Sequence, residues 1–453
     1  MPSEIAKKLA FEILGNVDPV VTSARLGRLS IAGRKDVDTP NFFAVSSRGV
    51  IPHMTPDVVA SNFNGAGIHI AIEDFIEKKE PPVLKCPGPS PLHTFTALPR
   101  TLFTLLAPRR TPAVMSPNAN TNTTVSVFTS DGFRQPSNKQ YISMIQKLQP
   151  DICIPLADIA YGTKPGVKRI TKMPGRTEKW VADHIQDCEH QTIFAPILPI
   201  DFSSQWEYVN SLEEQANRIA GLAFYDSSLL PDIPATTAMS SLPRLSLDEP
   251  ASPHHILRQV SLGMDIFTIP FVGFATDAGI SLTFTFPKPS SSTENNLNDS
   301  GLSTVPLGID MWNTSHASST IPITPSCTCY TCTSHHMAFI QHLLSAKEML
   351  GWALIQIHNQ HIISEFFKAV RASIKNGTFE MDSEGFARYY ESELPAKSGQ
   401  GPRMRGYHFK SEASEPKRNE KPWTVGLDAQ YSALVPDTAV DLKEKEFAEK
   451  TTD

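Results

Sequence analysis

Cysteine is scarce: six in 453 residues, too few to knit a chain of this length into a disulfide scaffold. No uncharged apolar run reaches the roughly 18 residues a membrane-spanning helix needs, so no span is expected. The opening segment, MPSEIAKKLAFEILG, scatters charges through a short amphipathic stretch and lacks the apolar centre of a secretory signal. Excess positive charge is missing too. Lys and Arg number 41 against 47 Asp and Glu, for a net charge of −6 and a pI near 6.2. That balance argues against tight nucleic-acid binding by this chain alone, and leaves room for a local basic patch or a basic partner. What is present is a 40% hydrophobic composition, enough for a large core, and more proline (37) than glycine (24). Many prolines sit in polar stretches, the mark of a globular fold with loop insertions.

Strand-like and helix-like patterns alternate through the first 310 residues or so. Tyr141, Met144, Ile145 and Leu148 have helical spacing, and Pro150-Asp-Ile-Cys-Ile-Pro-Leu156 after them reads as a buried strand. Phe194 to Ile200 reads as the next strand. Val209, Leu212, Ala216 and Ile219 share a helical face, and Gly221-Leu-Ala-Phe224 follows as a strand. Arg244 to Leu247 and Met264 to Ile269 read as strands around a helix at Ile256, Leu257 and Val260. This alternation implies a parallel sheet, open or closed into a barrel. Polar, proline-rich segments at 76–92, 106–124, 231–252 and 287–304 are expected to be surface loops, the last disordered. The chain thus divides into 11–310, a barrel with insertions; 311–390, a metal-binding subdomain with closing helices; and 391–453, a polar, flexible tail. Residues 395–425 carry Arg403, Arg405, Lys410, Lys417, Arg418 and Lys421 with little apolar content, either a solvated tail or an arm that contacts RNA or a partner.

Three of the six cysteines crowd into Cys327-Thr-Cys329-Tyr-Thr-Cys332. Thiolates this close form one corner of a tetrahedral zinc site, which an imidazole from a helix can complete. Ala346, Leu350, Ala353, Leu354 and Ile357 form an apolar helical stripe, and His358 lies beside it. His335, His336 and His361 compete for the fourth position. Four protein ligands leave no place for a substrate, so the expected ion is one structural Zn2+ per chain. Cys86, Cys153 and Cys188 are expected to be buried thiols.

The Cys-x-Cys-x-x-Cys run, with a histidine inside Ile355-Gln-Ile-His-Asn359, resembles the tRNA-guanine transglycosylase family. Ala24-Arg-Leu-Gly-Arg-Leu29, Asp38-Thr-Pro40 and Ser47-Arg-Gly49 resemble its first strands. Ser130-Asp-Gly-Phe133 resembles its Ser-Gly-Gly-Phe loop, and Gly221-Leu-Ala223 and Gly263-Met-Asp-Ile-Phe267 its later strands. The resemblance runs from about residue 20 to 385. It implies a (β/α)8 TIM-like barrel with a zinc-binding subdomain that exchanges guanine in tRNA for a 7-deazaguanine base.

That exchange needs a carboxylate to attack the ribose and a second to move protons. The family's nucleophilic aspartate falls here on Thr268, and its general base on Thr129. Asp158 stands at the base-recognising position, the Val-Gln-Gly strand end reads Ile197-Leu-Pro-Ile200, and two tRNA-holding arginines become Phe274 and Asp277. Asp265 matches the other aspartate of its run and reads as structural. These departures resemble the non-catalytic branch of the family. In that branch such a chain pairs with a catalytic homologue, and the heterodimer inserts queuine at the wobble position of tRNAs with GUN anticodons. The resemblance implies that partner, tRNA contact through the complex, and a cytoplasmic location that allows peripheral association with mitochondria. The alternatives are an active transglycosylase using the shifted carboxylates Asp131, Asp158 or Asp265, and a zinc-stabilised barrel with an unrelated binding role.

Overall fold

The computed structural model describes residues 9–15, 23–78, 80–115, 119–129, 132–162, 164–188, 190–234, 236–289 and 304–402. Most of the 287–304 segment, Asp131, and the tail from 403 onward, with its cluster of cations, lie outside these residues.

The chain opens with an antiparallel sheet of β1 (Ala10–Leu14), β2 (Leu26–Ser30) and β3 (Val37–Thr39). The barrel strands begin with β4 (Asn41–Val45), β5 (Gly67–Ala71) and β6 (Phe103–Ala107). A separate antiparallel hairpin, β7 (Val127–Thr129) and β8 (Gly132–Arg134), follows. The barrel resumes with β9 (Ile152–Cys153), β10 (Phe194–Ile197), β11 (Gly221–Phe224), β12 (Arg244–Ser246) and β13 (Ile266–Thr268). These eight strands are all parallel, in the order β10-β11-β12-β13-β4-β5-β6-β9, and a parallel bridge from Cys153 to Ile193 joins the two ends. The result is the (β/α)8 barrel. β5 and β6 are buried at every residue, as strands of a parallel sheet covered on both faces are.

Helices α1 (Pro56–Asn62) and α2 (Pro91–Thr96) follow the first two barrel strands, and α3 (Asn138–Leu148) follows the hairpin. Then come α4 (Val167–Ile170), α5 (Met173–Asp187), α6 (Phe202–Glu214), α7 (Thr237–Ser240), α8 (Pro253–Ser261) and α9 (Phe271–Ala278). Ser137 and Gln140 form a reciprocal cap at the start of α3, whose Tyr141, Ile145 and Leu148 face the core. Beyond the barrel, β14 (Ile280–Leu282) pairs antiparallel with β15 (Gly308–Asp310), ahead of α10 (Tyr330–Ser334), α11 (Met337–Ser345), α12 (Met349–Asn376) and α13 (Phe379–Tyr389). The far half of α12 belongs to the barrel. Phe367 stacks on Phe42 of β4 at 5.5 Å and lies as close to Phe267 of β13, closing the ring of helices between the first and last strands.

The antiparallel sheet covers the N-terminal end of the barrel, its Leu29, Ile31 and Val37 joining the interior cluster of Phe43, Phe103, Phe194 and Ile266. Two buried ion pairs fasten it there. Arg25 meets Asp265 just before β13 at 2.6 Å, and Arg34 meets Asp151 just before β9 at 2.9 Å. No helix among the described residues is long and apolar enough to cross a membrane.

Several sequence expectations need correction. Residues 231–252 are not one surface loop: they contain α7 and the fully buried strand β12. β12 falls where Arg244 to Leu247 read as a strand, and the buried Arg244 guanidinium is spent on the Gly263 carbonyl at 3.2 Å. Ala216 and Ile219 lie past the end of α6. Ala346 precedes α12 and is exposed, as is Leu350, whereas Leu354 and Ile357 of the expected stripe are buried, joined there by Trp352 and Ile355. Cys86 is half-buried, whereas Cys153 and Cys188 are buried. Residues 391–402, grouped with the tail, run along the barrel unit. Gly399 lies against the Trp312 ring, where a Cβ would come within 2.2 Å, and the Ser398 hydroxyl bonds Asp310.

Candidate metal centre and barrel mouth

The three cysteines reach one point because α10 starts there. Cys329 is its N-cap, its sulfur accepting from the Cys332 amide at 3.4 Å, which turns both side chains the same way. The near half of α12 brings His358 up from below. Its Nδ1 lies 3.7, 3.5 and 3.3 Å from the sulfurs of Cys327, Cys329 and Cys332. All four donor atoms fall within 4.8 Å of one another. The N–S edge of a tetrahedron with metal–sulfur bonds of about 2.3 Å and a metal–nitrogen bond of about 2.0 Å is about 3.5 Å. The cluster therefore fits a metal ion. The other ring nitrogen, Nε2, bonds the Leu282 carbonyl at 2.8 Å, which leaves Nδ1 as the donor toward an ion. Asn359 extends this anchor. It accepts from the Leu282 amide at 2.8 Å and donates to the Ile280 carbonyl and the Thr276 hydroxyl, both at 3.0 Å.

The rival histidines are engaged elsewhere. His335 stacks on Phe339, and His336 caps α11, its Nδ1 accepting from the Phe339 amide at 3.2 Å. His361 stays outside the group of four. Hydrogen bonds from Cys329 and Cys332 hold the Cys327 thiol far below its usual range, while the same contacts push Cys329 up. Burial opposes charge on His358, yet its bonds to Cys327 and Cys332 outweigh it and raise the imidazole to about 9.

The C-terminal ends of the barrel strands form the other candidate site, since barrel enzymes work there. Thr268 ends the eighth strand and is fully buried, its hydroxyl donating to the Ser246 carbonyl at 3.3 Å. Thr129 is elsewhere. It lies on the β7–β8 hairpin, donating to the Gly132 carbonyl at 2.8 Å, and the third barrel strand is β6 instead. Past the end of β6 the chain reads Pro108-Arg109-Arg110, with arginines in place of a carboxylate.

Those arginines were not foreseen, and they organise the mouth. Arg109 Nε lies 3.1 Å from Glu73 Oε2, too poorly aligned for a hydrogen bond, while its guanidinium sits 4.6 Å over the Tyr161 ring. Arg110 bonds Asp74 through Nε at 2.5 Å and the Phe128 carbonyl through Nη1 at 2.8 Å. Burial pushes the Glu73 and Asp74 carboxyls up, and the arginines pull them part of the way back. Asp158 follows the fourth strand and is fully buried. It is held by Arg169, by Arg176 at 3.0 Å and by Asn120 at 2.8 Å. Asp265 is at the opposite end of the barrel. Phe274 is exposed, and Asp277 is bonded to His53 at 2.8 Å. In the sequence, the only trace of this network was the placing of Glu73-Asp74 and Arg109-Arg110 directly after buried strands.

Fold and cluster together define a (β/α)8 barrel protein with an appended Cys3His subdomain, of the kind that transglycosylases of tRNA use. The chain belongs to the queuine tRNA-ribosyltransferase family, which it matches over residues 19–392. It is 34% identical to the "Queuine tRNA-ribosyltransferase accessory subunit 2" of Schizosaccharomyces pombe, over 95% of this chain and 96% of that protein. Proteins of the same name from Xenopus laevis and Drosophila persimilis are each 26% identical, covering 82% and 78% of this chain and 98% and 86% of their own.

Proposed function

We propose that this chain is the non-catalytic subunit of a heterodimeric queuine tRNA-ribosyltransferase, whose catalytic homologue exchanges guanine for queuine at the wobble position of GUN-anticodon tRNAs. The observation that carries the reading is the state of the mouth. Thr268 stands where base exchange needs a nucleophilic carboxylate, and Glu73, Asp74 and Asp158 are each tied to arginine. A threonine hydroxyl that donates to a backbone carbonyl is a poor nucleophile. The shifted-carboxylate alternative loses support for the same reasons: Asp158 is doubly ion-paired, and Asp265 faces the N-terminal end, away from any substrate at the mouth.

The metal is zinc, held by Cys327, Cys329, Cys332 and His358. With four protein donors it supplies a cross-link rather than a reactive water. Through the bond from His358 to Leu282, that cross-link fastens the cysteine loop, α12 and β14 into one body. An intact subdomain beside an idle mouth is what a subunit kept for its surfaces requires.

The test is co-expression with a catalytic homologue and light scattering of the product. A one-to-one complex is expected, active on tRNA, with this chain inactive alone. Separate elution, with the homologue fully active by itself, refutes the proposal.

A further inference from the structure

Although the chain is acidic overall, residues 164–179 hold six cations (Lys164, Lys168, Arg169, Lys172, Arg176 and Lys179) against one carboxylate, Glu178. The segment follows the fourth barrel strand and therefore lies on the C-terminal rim. Two of its cations are structural. Arg169 and Arg176 both reach the buried Asp158, which fastens the segment over the mouth. The other four, all lysines, are exposed and make no ion pair among the described residues.

Their placement costs the local structure something. Helix α5 has Lys172 as its N-cap, Arg176 and Lys179 in its first half and no acidic residue in its first turn, while Asp183 and Asp187 lie toward its end. At the N-terminal end the helix dipole disfavours the Lys172 cation by about 0.3–1 kcal/mol, an effect confined to the first turn. Lys172 and Lys179 are two turns apart on one face, about 10 Å along the axis, and Lys164, Lys168 and Lys172 follow at intervals of four. The spacing gives a row of separate cations on a segment already fixed by Asp158, so little ordering is lost on binding. Val167 is the single strongly exposed apolar side chain in the segment, at 80%, which favours a polyanion over a lipid surface.

We infer that this lysine rim binds the phosphate backbone of an RNA. The inference rests on the reading of the chain as a subunit of a tRNA-modifying complex. It gives the inactive barrel mouth a role, that of holding the substrate of the partner without opening a pocket. The two family arginines replaced by Phe274 and Asp277 are thus compensated from a different loop.

The experiment uses the full-length co-expressed complex and its tRNA substrate, comparing wild type with Lys164→Gln/Lys168→Gln/Lys172→Gln/Lys179→Gln. Each phosphate left without its lysine removes about 0.7–0.9 from the slope of log affinity against log salt, so the slope should fall by about 3, and affinity at low salt by about 10- to 100-fold. The single variant Lys168→Gln should show about a quarter of the slope change, which guards against a folding defect in the fourfold variant. An unchanged slope in an intact heterodimer overturns the rim proposal and leaves the subunit reading standing. The rim proposal is equally overturned if the fourfold variant loses only binding to phosphatidylserine vesicles, or only its partner chain. A wild-type pair that never assembles overturns both readings.

Discussion

Asp265→Asn separates a structural aspartate from a catalytic one. Arg25 donates to both carboxylate oxygens of Asp265, at 2.9 and 2.6 Å, and the Arg244 amide donates to one of them at 2.7 Å. Arg25 and Asp265 are 1% and 0% exposed. Arg25 is also held by the Ser240 and Leu242 carbonyls, at 2.6 and 2.8 Å, so it cannot swing to water when its partner loses charge. Breaking a buried pair by neutralising one member costs about 3–5 kcal/mol. For a unit of roughly 400 residues, unfolding entropy near Tm is about 0.8 kcal/mol per kelvin, so Tm should drop by about 4–6 °C. Scanning calorimetry measures that drop. Queuine exchange by the folded complex at 25 °C should be unchanged. A Tm within about 1 °C of wild type, or lost exchange with the fold intact, refutes the placement of Asp265 at the idle end of the barrel.

Other outcomes follow from the same geometry. Elemental analysis should find one zinc per chain, lost in Cys329→Ser and Cys332→Ala but kept in His335→Ala, His336→Ala and His361→Ala; metal-free protein with unchanged melting would remove the structural role. Burial lowers His69 and His184 to about 4, so both are neutral in the fold, whereas the unfolded chain takes up protons below about pH 6.5. Their contribution is complete above about pH 6.5 and is lost as pH falls toward 4, by about 2 kcal/mol each between pH 7 and 5; His69→Gln should flatten that slope in denaturant titrations, and an unaltered slope speaks against it. Thr268→Asp should leave the isolated chain inactive in guanine exchange, because Arg109 and Arg110 still occupy the position after the third strand; measurable exchange would show that one carboxylate suffices.

The metal cluster was legible because its signal is local: three cysteines in six positions and a histidine on a strongly helical stretch. His358 could be chosen from its place beside the apolar stripe of a helix, and the structure adds what excludes His335 and His336, their packing on Phe339. The barrel strands were legible from Tyr141 onward, where buried strands alternate with amphipathic helices. The third strand was not. Phe103-Thr-Leu-Leu-Ala107 and Val127-Phe-Thr129 are both short and apolar, and the Ser-x-Gly-Phe resemblance drew attention to the second. Only the pairing decides between them: β6 lies between β5 and β9 in the parallel sheet, whereas β7 pairs antiparallel with β8. The arginine–carboxylate network at the mouth was hidden for a related reason: its members lie 11 to 37 residues apart, and a charged residue after a strand reads as surface until its partners are known.

The most direct measurement of the central claim is the site of the covalent RNA–protein intermediate in the reconstituted heterodimer. The complex is stalled on tRNA, denatured and separated by chain, and each chain is examined by mass spectrometry for bound RNA. The account predicts RNA on the catalytic homologue alone. RNA attached to this chain, through Thr268 or any of its aspartates, would contradict it.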